Sequence, residues 1–214
     1  MNILALKLSD TTNFTDYTYY LSLISNERQK KIDVLKFEHK KKTSLFAELL
    51  IRYQITKDLN LSNSEVSFEY NQYGKPCIKR YTDYNFSISH SKDYIVYVSD
   101  IHPIGIDIER IKNANIGLAK RFFTPKEYSH IVSSNSLDDS FFKVWTIKEA
   151  YIKMLGMGLH KPLSSFDIFS LDCNVYNTTI EDYSISVCYS SKVANSISLT
   201  NISVEDVLHW ADTI

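Results

Sequence analysis

Three carboxylates and a lysine in this sequence have the types and spacing to do chemistry together. Asp107 and Glu109 stand two residues apart in the run Pro103-Ile104-Gly105-Ile106-Asp107-Ile108-Glu109. In a β-strand that spacing puts both acids on one face and Ile106 and Ile108 on the other. Like charges held side by side repel, so the pair needs either water or a cation. A hard, oxygen-preferring ion such as Mg²⁺ meets the second need, while a solvated edge-strand face is the plainer alternative. Farther along, Trp145, Glu149 and Lys153 follow at i, i+4 steps, which stacks them on one side of a helix. As an exposed pair, Glu149 and Lys153 would contribute only about 0.3–0.5 kcal/mol. Phe142 and Trp145 draw that face toward the core, where an uncompensated Glu149 is costly unless it meets a cation. With Asp107 and Glu109 it would complete a three-carboxylate oxygen site, leaving positions for water and a phosphate.

A second set of residues supplies positive charge and hydrogen-bond donors. Arg28, Lys31, Lys75 and His90, with the hydroxyls of Ser44 and Ser89, are the types that hold a phosphate monoester. Each also has an ordinary reading, the lysines as solvated charges and His90 as a strand-end ring bonded to backbone. Glu127 has two readings of its own. Thr124-Pro125-Lys126-Glu127 is a capping box with proline at the first helical position, and a carboxylate there is also a candidate proton acceptor.

These groups must be positioned by a mixed set of elements. Leu45, Phe46, Leu49, Leu50 and Tyr53 recur at helical spacing and predict a helix over Thr43 to Asp58. Extended runs follow at Val66–Tyr70, Asn85–Ser89 and Tyr94–Ser99, with Gly74-Lys75-Pro76 marking a turn. The second half opens with the Asp107 strand. It continues through helices over about Pro125–Val132 and Asp138–Leu155 and closes with strands near Tyr183–Tyr189 and Ser196–Leu199. Ser44-Leu45-Phe46 with Leu49 echoes Ser140-Phe141-Phe142 with Trp145, and Phe86-Ser87-Ile88-Ser89 echoes Tyr183-Ser184-Ile185-Ser186. The expected fold is therefore α/β in the broad sense (α+β). It is a pseudo-two-fold pair of subdomains, 1–102 and 103–214, each a long helix on a small sheet, with the active site at their interface.

Composition excludes several classes. With 214 residues, 44% of them hydrophobic, and a formal net charge of -1, the chain is an ordinary globular protein with no global bias toward nucleic acid or membrane. A charged partner must be met by a local patch. Met1 to Leu8 alternates like a strand and does not read as a signal peptide, and no apolar run reaches membrane-spanning length. Cys77, Cys173 and Cys188 are odd in number and widely spaced, which suits reduced thiols in a cytoplasmic protein.

In order, Gly74-Lys75-Pro76, Asn85-Phe86-Ser87-Ile88-Ser89-His90-Ser91, Pro103 to Glu109, Arg121-Phe122-Phe123 with Glu127, and Trp145-x-x-Lys148-Glu149-x-x-x-Lys153-x-x-Gly156-x-Gly158-Leu159 resemble the Sfp-type 4'-phosphopantetheinyl transferases. The resemblance covers most of the chain from Ile24 to about Phe166. It implies a monomeric enzyme that moves the phosphopantetheine arm of coenzyme A onto a serine of an acyl or peptidyl carrier protein. On that pattern Asp107, Glu109 and Glu149 would bind Mg²⁺, Mn²⁺ suiting the same ligands, and Lys153 would lie against the pyrophosphate. Arg28, Lys31, Ser44, Lys75 and His90 would hold the 3'-phosphate of coenzyme A, with Ser89 bonding near the adenosine end. Arg28 stands where the family often has lysine, and Ser44 where it often has threonine. Glu127 and Glu149 are the candidate proton acceptors, with Glu127 ahead because a metal lowers the basicity of its ligands. The carrier would dock near Lys112 to Phe123 and the start of the long helix, steered by Arg110, Lys112, Lys120 and Arg121. A Mg²⁺-dependent phosphodiesterase and a non-catalytic coenzyme A or carrier-protein binder are the competing readings. Neither nucleic acid nor a membrane is an expected partner.

Overall fold

The computed structural model describes residues 1–8, 18–191 and 196–214. In chain order its elements are β1 (Asn2–Lys7), α1 (Thr18–Leu21), α2 (Asn26–Asp33), α3 (Glu38–Leu59), β2 (Phe68–Tyr70), β3 (Pro76–Ile78), β4 (Asn85–Ser91), β5 (Tyr94–Asp100), β6 (Ile104–Arg110), α4 (Ile116–Phe122), α5 (Pro125–Val132), α6 (Leu137–Leu155), β7 (Asn174–Ile180), β8 (Tyr183–Tyr189), β9 (Ser198–Ile202) and α7 (Val204–Asp212). The long helices fall where helical periodicity places them, although α3 starts ahead of Thr43 through an exposed, lysine-rich first turn. It stops at Asn60, whose left-handed backbone (φ 52°) caps the helix.

The strands form two main sheets, ordered β4-β5-β1-β9 and β6-β8-β7, while β2 and β3 make a small hairpin. Side-chain alternation sorts the layers. Leu4, Leu6, Ile95 and Tyr97 of the first sheet face Leu45, Phe46, Leu49 and Leu50 of α3. Ile3, Ala5, Val96 and Val98 face the other way, onto Ile104, Ile106, Ile108, Ile185 and Val187 of the second sheet. Beyond that sheet lies α6, with Ile147, Ala150 and Met154 against Cys188. The order is helix, sheet, sheet, helix, which explains why β5 reads as a nearly unbroken apolar run and why every residue of β8, its two serines included, is buried. Each fully buried branched side chain in these layers contributes about 1.5–3 kcal/mol of transfer free energy.

Both halves run strand, long helix, hairpin, and in each the last strand of the hairpin sits inside the sheet beside the first. By that order β8 corresponds to β5. The sequence echo between β4 and β8 therefore matches an edge strand with a central one and is not an equivalence. The end of the chain also crosses the expected division at residue 102. β9 joins the first sheet, parallel beside β1, and α7 packs Val204 and Val207 into the α3 core, with Trp210 edge-on to Tyr53. Periodicity missed β7, α4 and α7 because they are short or only partly apolar.

Candidate active site at the meeting of two sheet edges

The edge strands β4 and β6 meet, and side-chain hydroxyls rather than a backbone ladder join them. Ser87 Oγ accepts from the backbone N–H of Ile106 at 3.0 Å. Ser89 Oγ donates to Asp107 Oδ1 at 2.7 Å, and Ser91 Oγ donates to Glu109 Oε2 at 2.9 Å while accepting from Arg110 N at 3.2 Å. Serines at i, i+2 and i+4 share one face of a strand, so the polar face of β4 meets the carboxylate face of β6.

Over this seam α6 lies very close to β6. A Cβ on Gly105 would come within 2.0 Å of the Ala150 carbonyl oxygen and 2.3 Å of the Met154 nitrogen, so only glycine admits the helix here. Thr146 adds a buried polar contact, 2.7 Å from Ser186 Oγ. The close approach brings the next turns of α6 to the acids. Lys153 Nζ donates to Asp107 Oδ1 and to Ser89 Oγ, both at 2.7 Å. Asp107 Oδ2 is buried with no hydrogen-bond partner among the described residues. Burial, then the Asp107 charge, raises the pKa of Glu109 and of Glu149 above the usual carboxylate range. Glu149 has no recorded hydrogen bond among the described residues. The structure thus gathers Asp107, Glu109, Glu149 and Lys153, as their spacing implied. Among the described residues, however, no three acidic, histidine or cysteine side chains converge as a set able to hold a metal. Here the Lys153 ammonium supplies positive charge to Asp107 instead.

The Gly74-Lys75-Pro76 turn differs from expectation. Lys75 was expected to grip a phosphate, but its ammonium reaches across to the second half and caps the end of α6. It donates to the carbonyls of Lys153 (2.7 Å), Ile104 (3.0 Å) and Met154 (3.4 Å). Burial lowers its pKa to about 8. Asn71 Nδ2 donates to the Gly156 carbonyl at 2.8 Å beside it. The turn, Phe86 to Ile88, Lys153 and Gly156 enclose a pocket of about 240 Å³ between the halves. Ser89, expected to bond a nucleoside, has its hydroxyl committed to Asp107 and Lys153.

Arg28, Lys31, Ser44 and His90 do come together. With His39, Lys40 and Lys92 they line a pocket of about 650 Å³ whose wall, among the described residues, contains no carboxylate. His90 has its pKa lowered by desolvation, and then by the neighbouring Lys153 and Arg28 charges. A chain of nearly zero net charge thus concentrates cations at one place.

Glu127 stands apart from this constellation. It is fully buried, accepts from Thr124 N and Ile168 N, each at 2.8 Å, and pairs with Lys148 Nζ at 2.7 Å. Lys148 completes its own valences on the carbonyls of Leu163 and Phe166. A carboxylate so enclosed and satisfied acts as a helix cap and a buried ion partner, the first of the two readings the capping box offered. Arg110, expected to steer a carrier, is paired with Asp182 at 2.6 Å. The sequence reading also passed over Ser87, Ser91, Asn71 and Glu48. The alternating serines of β4 are the one signal that marked any of them.

The profile of the 4'-phosphopantetheinyl transferase superfamily matches residues 103–204, and that of the 4'-phosphopantetheinyl transferase N-terminal region matches residues 11–102. A relative from Aneurinibacillus migulanus, the 4'-phosphopantetheinyl transferase gsp, is 35% identical over 212 residues, spanning 89% of this chain and 86% of its own length. The 4'-phosphopantetheinyl transferase Sfp of Bacillus subtilis is 38% identical over 153 residues, 70% of this chain and 67% of its own. Likeness to a solved structure, Thermotoga maritima holo-[acyl-carrier-protein] synthase, is far weaker, with a TM-score of 0.36 and 16% identity over 42% of this chain and 64% of that one. On the strength of the sequence relatives, this chain belongs to the Sfp-type 4'-phosphopantetheinyl transferases.

Proposed function

We propose that the chain transfers the 4'-phosphopantetheine group of coenzyme A to a serine hydroxyl of an acyl or peptidyl carrier protein, releasing adenosine 3',5'-bisphosphate. The observation that carries this reading is the line of β4. Along it, a basic pocket sized for a phosphorylated nucleoside adjoins a cluster of three carboxylates and a lysine. In this reading the first half supplies the phosphate side and the second half the acids. The three free cysteines agree with a cytoplasmic enzyme.

The serine oxygen attacks the β-phosphorus, and the bond from that phosphorus to the bridging oxygen breaks. The bridging oxygen leaves with the adenosine bisphosphate. Lys153 spends two donors on Asp107 and Ser89, which fixes its ammonium and leaves a third N–H for the pyrophosphate. A pre-oriented charge at that position stabilises the charge building on the leaving group. With Glu127 held as a helix cap, Glu149, which has no hydrogen-bond partner among the described residues, is the other candidate to accept the serine proton, through an intervening water where its own carboxylate ligates a metal. Arg28, Lys31, Ser44 and His90 hold the 3'-phosphate. Mg²⁺ fits the chemistry of the acids, since the donors are all oxygen and Asp107 Oδ2 is an orphaned buried acceptor. As placed, the three acids do not converge on one point, so Asp107, Glu109 and Glu149 would hold the ion by closing around it, and when bound it would neutralise pyrophosphate charge.

Incubation of an apo peptidyl carrier protein with this chain, coenzyme A and Mg²⁺, read by intact mass spectrometry, tests the reading. A gain of one phosphopantetheine group, absent with EDTA, is expected. No gain on several carrier types, with coenzyme A still bound, would leave a non-catalytic binder.

A further inference from the structure

Inside the first half lies a buried carboxylate that the reaction does not use. Glu48 of α3 is only 2% exposed and receives four hydrogen bonds. Two come from Ser25, the cap of α2, through its N–H at 2.6 Å and its hydroxyl at 2.9 Å. The others come from Arg52 Nε at 2.9 Å and Arg28 Nε at 3.2 Å. Arg52 is itself locked, its Nη1 donating to Asn63 and to the Val66 carbonyl. Arg28 is different. Only its Nε is held, and its terminal nitrogens have no recorded partner among the described residues, although the residue lines the basic pocket. A guanidinium gripped at Nε keeps its two Nη groups for a second, planar or tetrahedral anion.

We propose that Glu48 is a positioning residue for recognition of the 3'-phosphate of coenzyme A. It acts through Arg28 and rests on the transferase reading above. By fixing both the first turn of α2 and the Arg28 guanidinium, it aims Arg28 into the pocket one helical turn from Lys31. A free arginine would lose rotamer entropy on being ordered by a phosphate, and Glu48 removes part of that cost in advance. The opposing effect is its negative charge, which weakens the pocket's field. Arg52 shares that charge, so the three side chains together remain cationic. Orientation therefore outweighs repulsion. The arrangement also accounts for arginine rather than lysine at position 28, because a lysine has no Nε to anchor.

The test compares kcat and KM for coenzyme A and for 3'-dephospho-coenzyme A in the full chain, in Glu48→Gln, in Arg28→Ala and in the double variant. In Glu48→Gln the preference for coenzyme A is expected to fall about tenfold, in KM rather than kcat. In the double variant that preference should match Arg28→Ala alone. A general loss of structure would lower activity on both donors equally and leave the preference intact. Retained or increased preference in Glu48→Gln, or losses that multiply in the double variant, would overturn the proposal. Should Glu48→Gln fail to fold because Arg52 loses its partner, Glu48→Asp keeps the charge while withdrawing the carboxylate, and the same drop in preference is required. Should the unsubstituted chain transfer from neither donor, the transferase reading fails by itself. The positioning role is then decided by calorimetric binding of adenosine 3',5'-bisphosphate against adenosine 5'-monophosphate.

Discussion

Lys153 donates to Oδ1 of Asp107 at 2.7 Å, while Oδ2 of the same carboxylate is buried and unpartnered among the described residues. One side chain thus meets a fixed cation on one oxygen and offers the other to a second cation. Asp107→Asn keeps the shape but gives up both, and is expected to lower kcat/KM by on the order of 10²–10³. Steady-state transfer to an apo carrier checks this, and a smaller loss than tenfold would remove Asp107 from the reaction.

Glu127 and Lys148 form a dry ion pair whose value lies in stability. Glu127→Gln leaves the Lys148 ammonium without its counter-charge, and the unfolding free energy should fall by about 3–5 kcal/mol in urea titrations. Turnover per folded molecule should be kept. If turnover vanishes in a variant that remains folded at assay temperature, Glu127 is the proton acceptor after all.

Gly105 sets the separation of α6 from β6. A methyl group there must displace helix backbone rather than a flexible side chain, so Gly105→Ala should cost about 1–3 kcal/mol. It should also lift Glu149 and Lys153 away from Asp107. Loss of transfer exceeding the loss of folded protein, measured together by activity and thermal melting, distinguishes this from simple destabilisation.

His90 should couple ligand binding to protons. Its pKa is depressed in the free pocket by burial, Lys153 and Arg28, and a bound phosphate would raise it. Between the free and bound values the complex holds more protons than the free protein. Affinity for adenosine 3',5'-bisphosphate should therefore strengthen as pH falls below the ordinary histidine range. Calorimetry in buffers of different ionisation enthalpy would register proton uptake, reduced in His90→Gln.

Lys75 predicts a pH dependence of stability with the opposite origin. Its pKa falls from the ordinary 10.5 to about 8 in the folded chain, so between those values the unfolded chain binds more protons. The unfolding free energy should rise with pH across that window, by about 3 kcal/mol at most, and the desolvation cost persists in full below it. Lys75→Met should lack the rise in urea titrations. An identical pH profile in both proteins would rule out a buried ammonium.

How much of this was legible in the sequence depended on how local the cause is. The alternation of Ile106 and Ile108 with Asp107 and Glu109, and the spacing of Glu149 and Lys153, are local periodicities, and the structure places all four acids and bases together. The capping box of Glu127 was equally local and is present as written. What could not be read were contacts made between distant segments. Nothing near Lys75 announces that its ammonium ends on α6, 78 residues on. Nothing near Glu127 names Lys148, and two of the three residues that bond Glu48, Ser25 and Arg28, lie at the start of α2 rather than on its own helix. Two cations of equal sequence character, Arg28 and Lys75, were therefore assigned one role when only Arg28 faces the pocket with free donors.

The parallel pairing of β1 with β9 also fixes an order of events. Asn2 meets Ser198 in that ladder, so on the ribosome this strand waits for a partner made 196 residues later. Until then the apolar edge of the first sheet stays open, and the basic pocket hangs on a half-finished support. Residues 1–102 produced alone should aggregate or remain molten, while adding the β9–α7 segment in trans should rescue them in part. Completion of the sheet thus makes the basic pocket's support depend on β9 and α7 as well as on the first half.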